Sequence, residues 1–278
     1  MSDDHLYLSL AEGHDDSDAR WAFGTGFEDP LHGVDQSVPE GTNAAQLAAY
    51  CLALGDDTLV SAQRLAQWCT AAPELEEEVA LANIGLDLLG QTRLLYARAG
   101  QVDGTGRGED AYAYFRDADA FRNVRLAELP NGDFAFSITR LLVLSSWRLA
   151  LFERLAVTTS DPVLAAIAAK GVKELAYHRQ YAAEWVVRLG DGTEESQRRM
   201  RDALAAIVPY LDELFAETGE LKAEVLAVLR QVTDAAGLVW PETAPVPGHG
   251  RDGDHTEHLA PLLTELQSVA RAHPEATW

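Results

Sequence analysis

The residues that could do chemistry are few and unevenly placed. Beyond residue 43 the chain has five histidines, His178, His249, His255, His258 and His273. Glu174 and His178 stand four apart in a long stretch of helical periodicity, on the stripe that a helix would turn toward a core. Asn83 and Asp87 form a similar polar step inside the apolar run VALANIGLDLLG. A bundle with Glu and His on core stripes invites a di-iron reading. Such sites take one Glu from each of two helices and a Glu-x-x-His from each of the other two. The i, i+3 spacing matters because both ligands must reach one metal pair from one helical face. The 74–99 stretch has no histidine, and the residue three before His178 is Leu175, with Glu174 one step too early. The expectation is a dismantled site, with no catalytic and no metal-ligating residue on this chain. Glu174 and His178 are then expected to pair with each other. Asn83 and Asp87 should satisfy each other, Arg93 or a neighbouring helix, because an unpaired buried carboxylate is costly.

Asp252, Asp254, His255, Glu257 and His258 make a second, weaker metal-like cluster. The reading favoured is that Asp254 caps a helix beginning there while the histidines bond locally. Closed zinc sites bring four well-spaced ligands, and this cluster has no sulfur. Cys51 and Cys69 lie too far apart along one helix to pair and read as buried, reduced thiols. The glycines near 100–108 and 248–253 match no phosphate-loop or dinucleotide fingerprint, and no strand precedes them. A nucleophilic triad lacks its strand–turn–helix elbow.

The elements that must position these residues are helices. Strand-type alternation is absent, and helical periodicity starts near residue 44. Helices are predicted near 44–71, 74–99, 110–128, 133–157, 162–189, 194–217, 220–236 and 255–272. Pro73 and the glutamates after it suit a helix start, as do Asp161 with Pro162, and Gly190 suits a stop. The 162–189 stripe is expected to run Leu164, Ile167, Gly171, Glu174, His178, Tyr181, Trp185, Leu189. Four long helices in two pairs, with others appended, make an all-α bundle the expected architecture.

Composition bounds the partners. The 278 residues are 47% hydrophobic and 24% charged, and need no disulfide or metal staple to fold. Forty-four acids against 22 bases give a net charge of -22, which disfavours nucleic acid and anionic membrane. Residues 1–43 hold ten acids and one base, hence -9 of that total, and read as a disordered acidic arm before a domain spanning 44–278. The N-terminus lacks a basic region followed by an apolar one, so a cytoplasmic protein is expected.

Four runs carry a resemblance: APELEEEVALANIGLDLLGQTR (72–93), LPNGDFAFSITR (129–140), KELAYHRQYAAEW (173–185) and HTEHLAPLLTELQ (255–267). Together they resemble the PaaC family, also called PaaI, of structural subunits of bacterial 1,2-phenylacetyl-CoA epoxidase. The similarity extends over about residues 44–278. It implies a ferritin-like helical bundle with additional C-terminal helices. It also implies a non-catalytic subunit that binds and stabilises a related catalytic subunit, PaaA, which holds the di-iron centre. Small subunits and a reductase with FAD and an iron–sulfur cluster complete such an oxygenase, with NADPH as electron source. The resemblance implies no cofactor on this chain, and the chain alone could form a homodimer. The competing readings are a di-iron oxygenase active in its own right and a stand-alone metal- or CoA-binding helical module. The partner-facing helices are expected among 132–157 and 161–189, whose apolar content (Leu142, Leu144, Trp147, Leu151) exceeds a single stripe.

Overall fold

The structure, a computed structural model, describes residues 31–276. Every helix below lies in the larger unit of the chain, which begins at Val34. Most of the expected acidic arm falls outside the described residues. Its last part, residues 34–43, belongs to the larger unit, where Arg98 Nη1 donates to the Gln36 carbonyl at 2.7 Å.

In chain order the helices are α1 (Ala44–Ala66), α2 (Leu75–Val102), α3 (Glu109–Tyr114), α4 (Arg125–Glu128), α5 (Phe134–Thr158) and α6 (Pro162–Gly190). They continue as α7 (Glu194–Ile207), α8 (Leu211–Leu214), α9 (Lys222–Ala235) and α10 (Leu259–Ala272). No strand occurs among the described residues. The starts are chemically marked. Asp133 accepts from the Phe136 amide at 2.9 Å, and Asp161 accepts from the Leu164 amide at 2.7 Å. Thr193 and Ser196 form a reciprocal capping box.

The α1–α2 and α5–α6 pairs each pack along their lengths, and α2 lies against α6. Outside this four-helix core, α7 and α9 cover α5 and α6, while α10 closes over α1 and α3. This is the all-α, ferritin-like bundle with additional C-terminal helices. Helix α5 is apolar and long enough to cross a membrane by length and composition, but 83% of its apolar window is buried inside the protein. It is a core helix.

Several predicted elements end elsewhere. The single helix expected over 110–128 is α3, a 3-10 turn at Ala118–Ala120 and α4. The amides of Arg122 and Val124 donate to Asp56 and Asp57 at 2.8 Å each, so they are spent outside any helical ladder. Helix α1 stops at Ala66, before Thr70 in a left-handed turn (φ 69°). Pro209 lacks the N–H that would extend α7 to 217. The α6 stripe drifts as well. Its buried line past His178 is Ala182, Val186 and Gly190, while Tyr181, Trp185 and Leu189 are only half-buried. Of the apolar residues offered for a partner, Leu142, Trp147 and Leu151 are buried within this chain.

Candidate functional site

At mid-height the four core helices each send a polar side chain inward: Asp57 from α1, Gln91 from α2, Arg148 from α5 and Glu174 from α6. Lys170 Nζ donates to Glu174 Oε1 at 2.6 Å, and Gln91 Nε2 donates to Glu174 Oε2 at 2.9 Å. Arg148 Nε donates to Gln91 Oε1 at 3.1 Å, and its Nη1 donates to the Leu54 carbonyl at 3.2 Å. The guanidinium also lies 4.4 Å from the Phe152 ring centroid. Asp57 stands 3.8 Å from Arg148 Nη1, beyond hydrogen-bond reach. Its carboxylate is instead held by Arg251, whose Nη1 and Nη2 donate at 2.9 and 2.6 Å, and by the Val124 amide. Gly171 makes the layer possible, since a Cβ there would sit 2.6 Å from Phe152 Cδ2.

Burial strips water from Arg148 and pushes its pKa down to about 10, with Asp57 opposing and Arg251 reinforcing the fall. Arg140, eight residues earlier on α5, is buried with no carboxylate partner among the described residues. It donates to the Leu129 carbonyl and to Asn131. Burial and the Arg64 charge lower its pKa to about 9.

These neighbours revise the expected pairings. Glu174 and His178 do not bond each other: Glu174 faces Lys170 and Gln91, and His178 Nε2 meets Asp87 Oδ2 at 3.0 Å. One turn separates Glu174 from His178, but each meets a different level of α2. Asp87 thus takes the neighbouring-helix partner, while Arg93 pairs with Glu109. Asn83 is exposed and is not a core polar position.

A di-iron pair does not fit this layer. It would need several carboxylates and two imidazoles converging, yet the centre has an amide and a fixed cation with one free carboxylate edge at most. Among the described residues no three of His, Cys, Asp and Glu are grouped to hold a metal ion.

The second cluster resolves into a seam. Glu128 Oε1 accepts from Asn123 Nδ2 at 2.9 Å and meets His255 Nδ1 at 2.6 Å. Its Oε2 accepts from the Thr256 amide and hydroxyl, each at 2.7 Å. His255 Nε2 lies 2.9 Å from the Phe121 carbonyl, so both ring nitrogens are occupied. Burial alone would lower the His255 pKa, but the Glu128 and Phe121 hydrogen bonds outweigh it and hold it above the ordinary histidine value. Because residues 255 and 256 are drawn to Glu128, the last helix starts at Leu259 rather than 255. His258 stands at its N-cap, and Asp254 does not cap it. Asp252 lies in a 3-10 turn and Glu257 is exposed.

Sequence reasoning missed Asp57, Gln91, Arg148, Arg251 and Glu128. Arg148 had a signal: Leu141, Ser145, Arg148 and Phe152 step by four, three and four along the buried face of α5. It also missed a face of α2. Leu75, Val79, Ala82, Leu86 and Leu89 step alternately by four and three, the period of a helix-pairing seam. Leu75, Val79 and Leu86 are 70%, 51% and 64% exposed. Beside Leu86 runs an apolar groove of about 300 Å³, walled by Ala62 and Ala66 of α1 and Leu266 of α10.

Known proteins share this chain's pattern. The family described as phenylacetic acid catabolic protein matches residues 33–278. The 1,2-phenylacetyl-CoA epoxidase of Escherichia coli (strain K12) has a subunit, designated C, that is 42% identical over 252 residues, spanning 84% of this chain and 99% of that protein. The chain belongs to the phenylacetic acid catabolic protein family.

Proposed function

We propose that this chain is a non-catalytic companion subunit of a phenylacetyl-CoA epoxidase, binding and stabilising a related di-iron subunit in aerobic phenylacetate degradation. The observation that carries the reading is Arg148: a guanidinium held at mid-bundle occupies the level where a catalytic bundle of this architecture gathers its metal ligands. A cation fixed there repels a metal pair and offers no lone pair to it. Iron, flavin and iron–sulfur chemistry then belong to partner proteins, and this chain's contribution is association in the cytoplasm. The exposed seam on α2 supports that role. A helix of a sister bundle laid along Leu75, Val79, Leu86 and Leu89 would bury an apolar row that the chain leaves in water. Burying it would also stiffen the partner's helix, on which ligand geometry depends.

The test is co-purification with a catalytic bundle carrying two intact Glu-x-x-His motifs. The wild-type chain should co-elute as a stable complex, and Val79→Asp with Leu86→Asp should weaken binding at least about tenfold, a loss of about 1.4 kcal/mol. Absence of any complex with the wild-type chain would contradict the companion role. Undiminished binding by the double variant would remove α2 from the interface.

A further inference from the structure

Between α1 and α5 lies a small cavity lined by Asp57, Ser61, Arg140, Trp147, Arg148 and His178 among others. Three of these side chains bring buried nitrogen atoms with no hydrogen-bond partner among the described residues: Arg148 Nη2, Trp147 Nε1 and His178 Nδ1. Arg148 and His178 are 4% and 0% exposed. The charge around the cavity is unbalanced. Arg140 has no carboxylate partner among the described residues, and Asp57, 3.8 Å from Arg148 Nη1, is shared with the two-pronged Arg251 contact. A buried cation without a counter-charge is strongly unfavourable, and an anion of matching size relieves that cost directly.

We propose that this cavity is a binding site for a small monovalent anion, a halide or a formate-sized carboxylate, seated against Arg148 Nη2 and the Trp147 indole N–H. Size decides the class of ligand. The cavity offers about 40 Å³ to the centres of water-sized spheres. A single water needs roughly 10–15 Å³, whereas a cavity that takes benzene measures about 150 Å³. An aromatic acid is therefore too large, and an anion of a few heavy atoms fits. His178 completes the wall, with its Nε2 held by Asp87 at 3.0 Å. Arg140, about 12 Å further along the helix axis, contributes field rather than contact. The anion so placed gives Arg148 Nη2 an acceptor and adds negative charge where Arg148 shares the nearby Asp57 carboxylate with Arg251.

The experiment uses the full-length chain in sodium gluconate, whose anion is too bulky to enter, with chloride or formate exchanged in at constant ionic strength. Saturable stabilisation is expected, with a melting-temperature rise of about 2–4 °C by one or both small anions. Arg148→Met should abolish it. A crystal of the wild-type chain grown with bromide should show an anomalous peak beside Arg148 Nη2, which keeps the test decisive if the variant fails to fold. A response to chloride alone assigns a halide, and one to formate alone assigns a carboxylate. Equal melting in gluconate, chloride and formate, with water and no bromide in the cavity, would overturn the proposal. So would an undiminished anion response in a folded Arg148→Met.

Discussion

At the seam between the bundle and its C-terminal segment, both oxygens of Glu128 receive two partners each. Glu213 is held by three donors, the Arg125 amide and Nε and the Gly250 amide. At mid-bundle Asp57, Gln91, Arg148 and His178 are also buried, but the layer is unfinished. Arg148 keeps a free Nη2, His178 a free Nδ1, and Arg140 lacks a counter-charge. The seam has the pattern of a lock, in which the hydrogen bonds on its two carboxylates fix one geometry, although Asn123 Oδ1 there is buried without a partner among the described residues. The central layer lacks that completeness, with buried nitrogen atoms that find no acceptor among the described residues beside a small cavity. Gln91 and Arg148 link α2, α5 and α6 across the layer by hydrogen bonds.

The contrast is most vulnerable at the seam. Glu128→Ala leaves His255, Asn123 and the Thr256 amide without their acceptor, so a loss of about 3–5 kcal/mol is expected from urea unfolding. A loss under about 1 kcal/mol would mean that the seam is not a lock. Gly171→Ala tests the spacing of the central layer. Its added methyl meets Phe152 at 2.6 Å, and the overpacking should cost about 1–3 kcal/mol despite the gain in helix propensity. Arg148→Met, measured in gluconate, separates the two regions further. With no small anion present, removing a buried cation that lacks a tight carboxylate should raise stability by about 1 kcal/mol or more.

The smallest effect is a pH dependence at the seam. The folded-state pKa of His255 is raised above its ordinary 6.5, so its pairing with Glu128 contributes fully below that pH. The contribution fades as pH rises through the higher folded value. The stability gap between wild type and His255→Ala should therefore shrink from pH 6 upward, and a widening gap would reverse the assignment.

Much of the fold was legible because its signals are local. Asp133, Asp161, Thr193 and Pro162 mark helix starts by the amides they satisfy or the one they omit. The failures arise where distant side chains compete for the backbone. Asp56 and Asp57 take amides from 122 and 124 and break the expected 110–128 helix, and Glu128 does the same to residue 256. The absence of a Glu-x-x-His pattern could be read from Leu175 and the histidine-free α2. What stands at mid-bundle could not, because an arginine amid apolar residues reads equally well as a surface side chain lying along its stem. Only the packing of α2 against α6 shows Glu174 reaching Gln91 rather than His178.

The proposal that the chain acts through association stands or falls with the mid-bundle layer holding no metal pair. Iron content of the purified full-length chain decides it, measured after anaerobic loading with ferrous iron and with helicity checked in the same sample. Near-zero iron on a fully folded protein is the expected result. About two irons per chain would contradict it and return the chain to the class of active di-iron oxygenases.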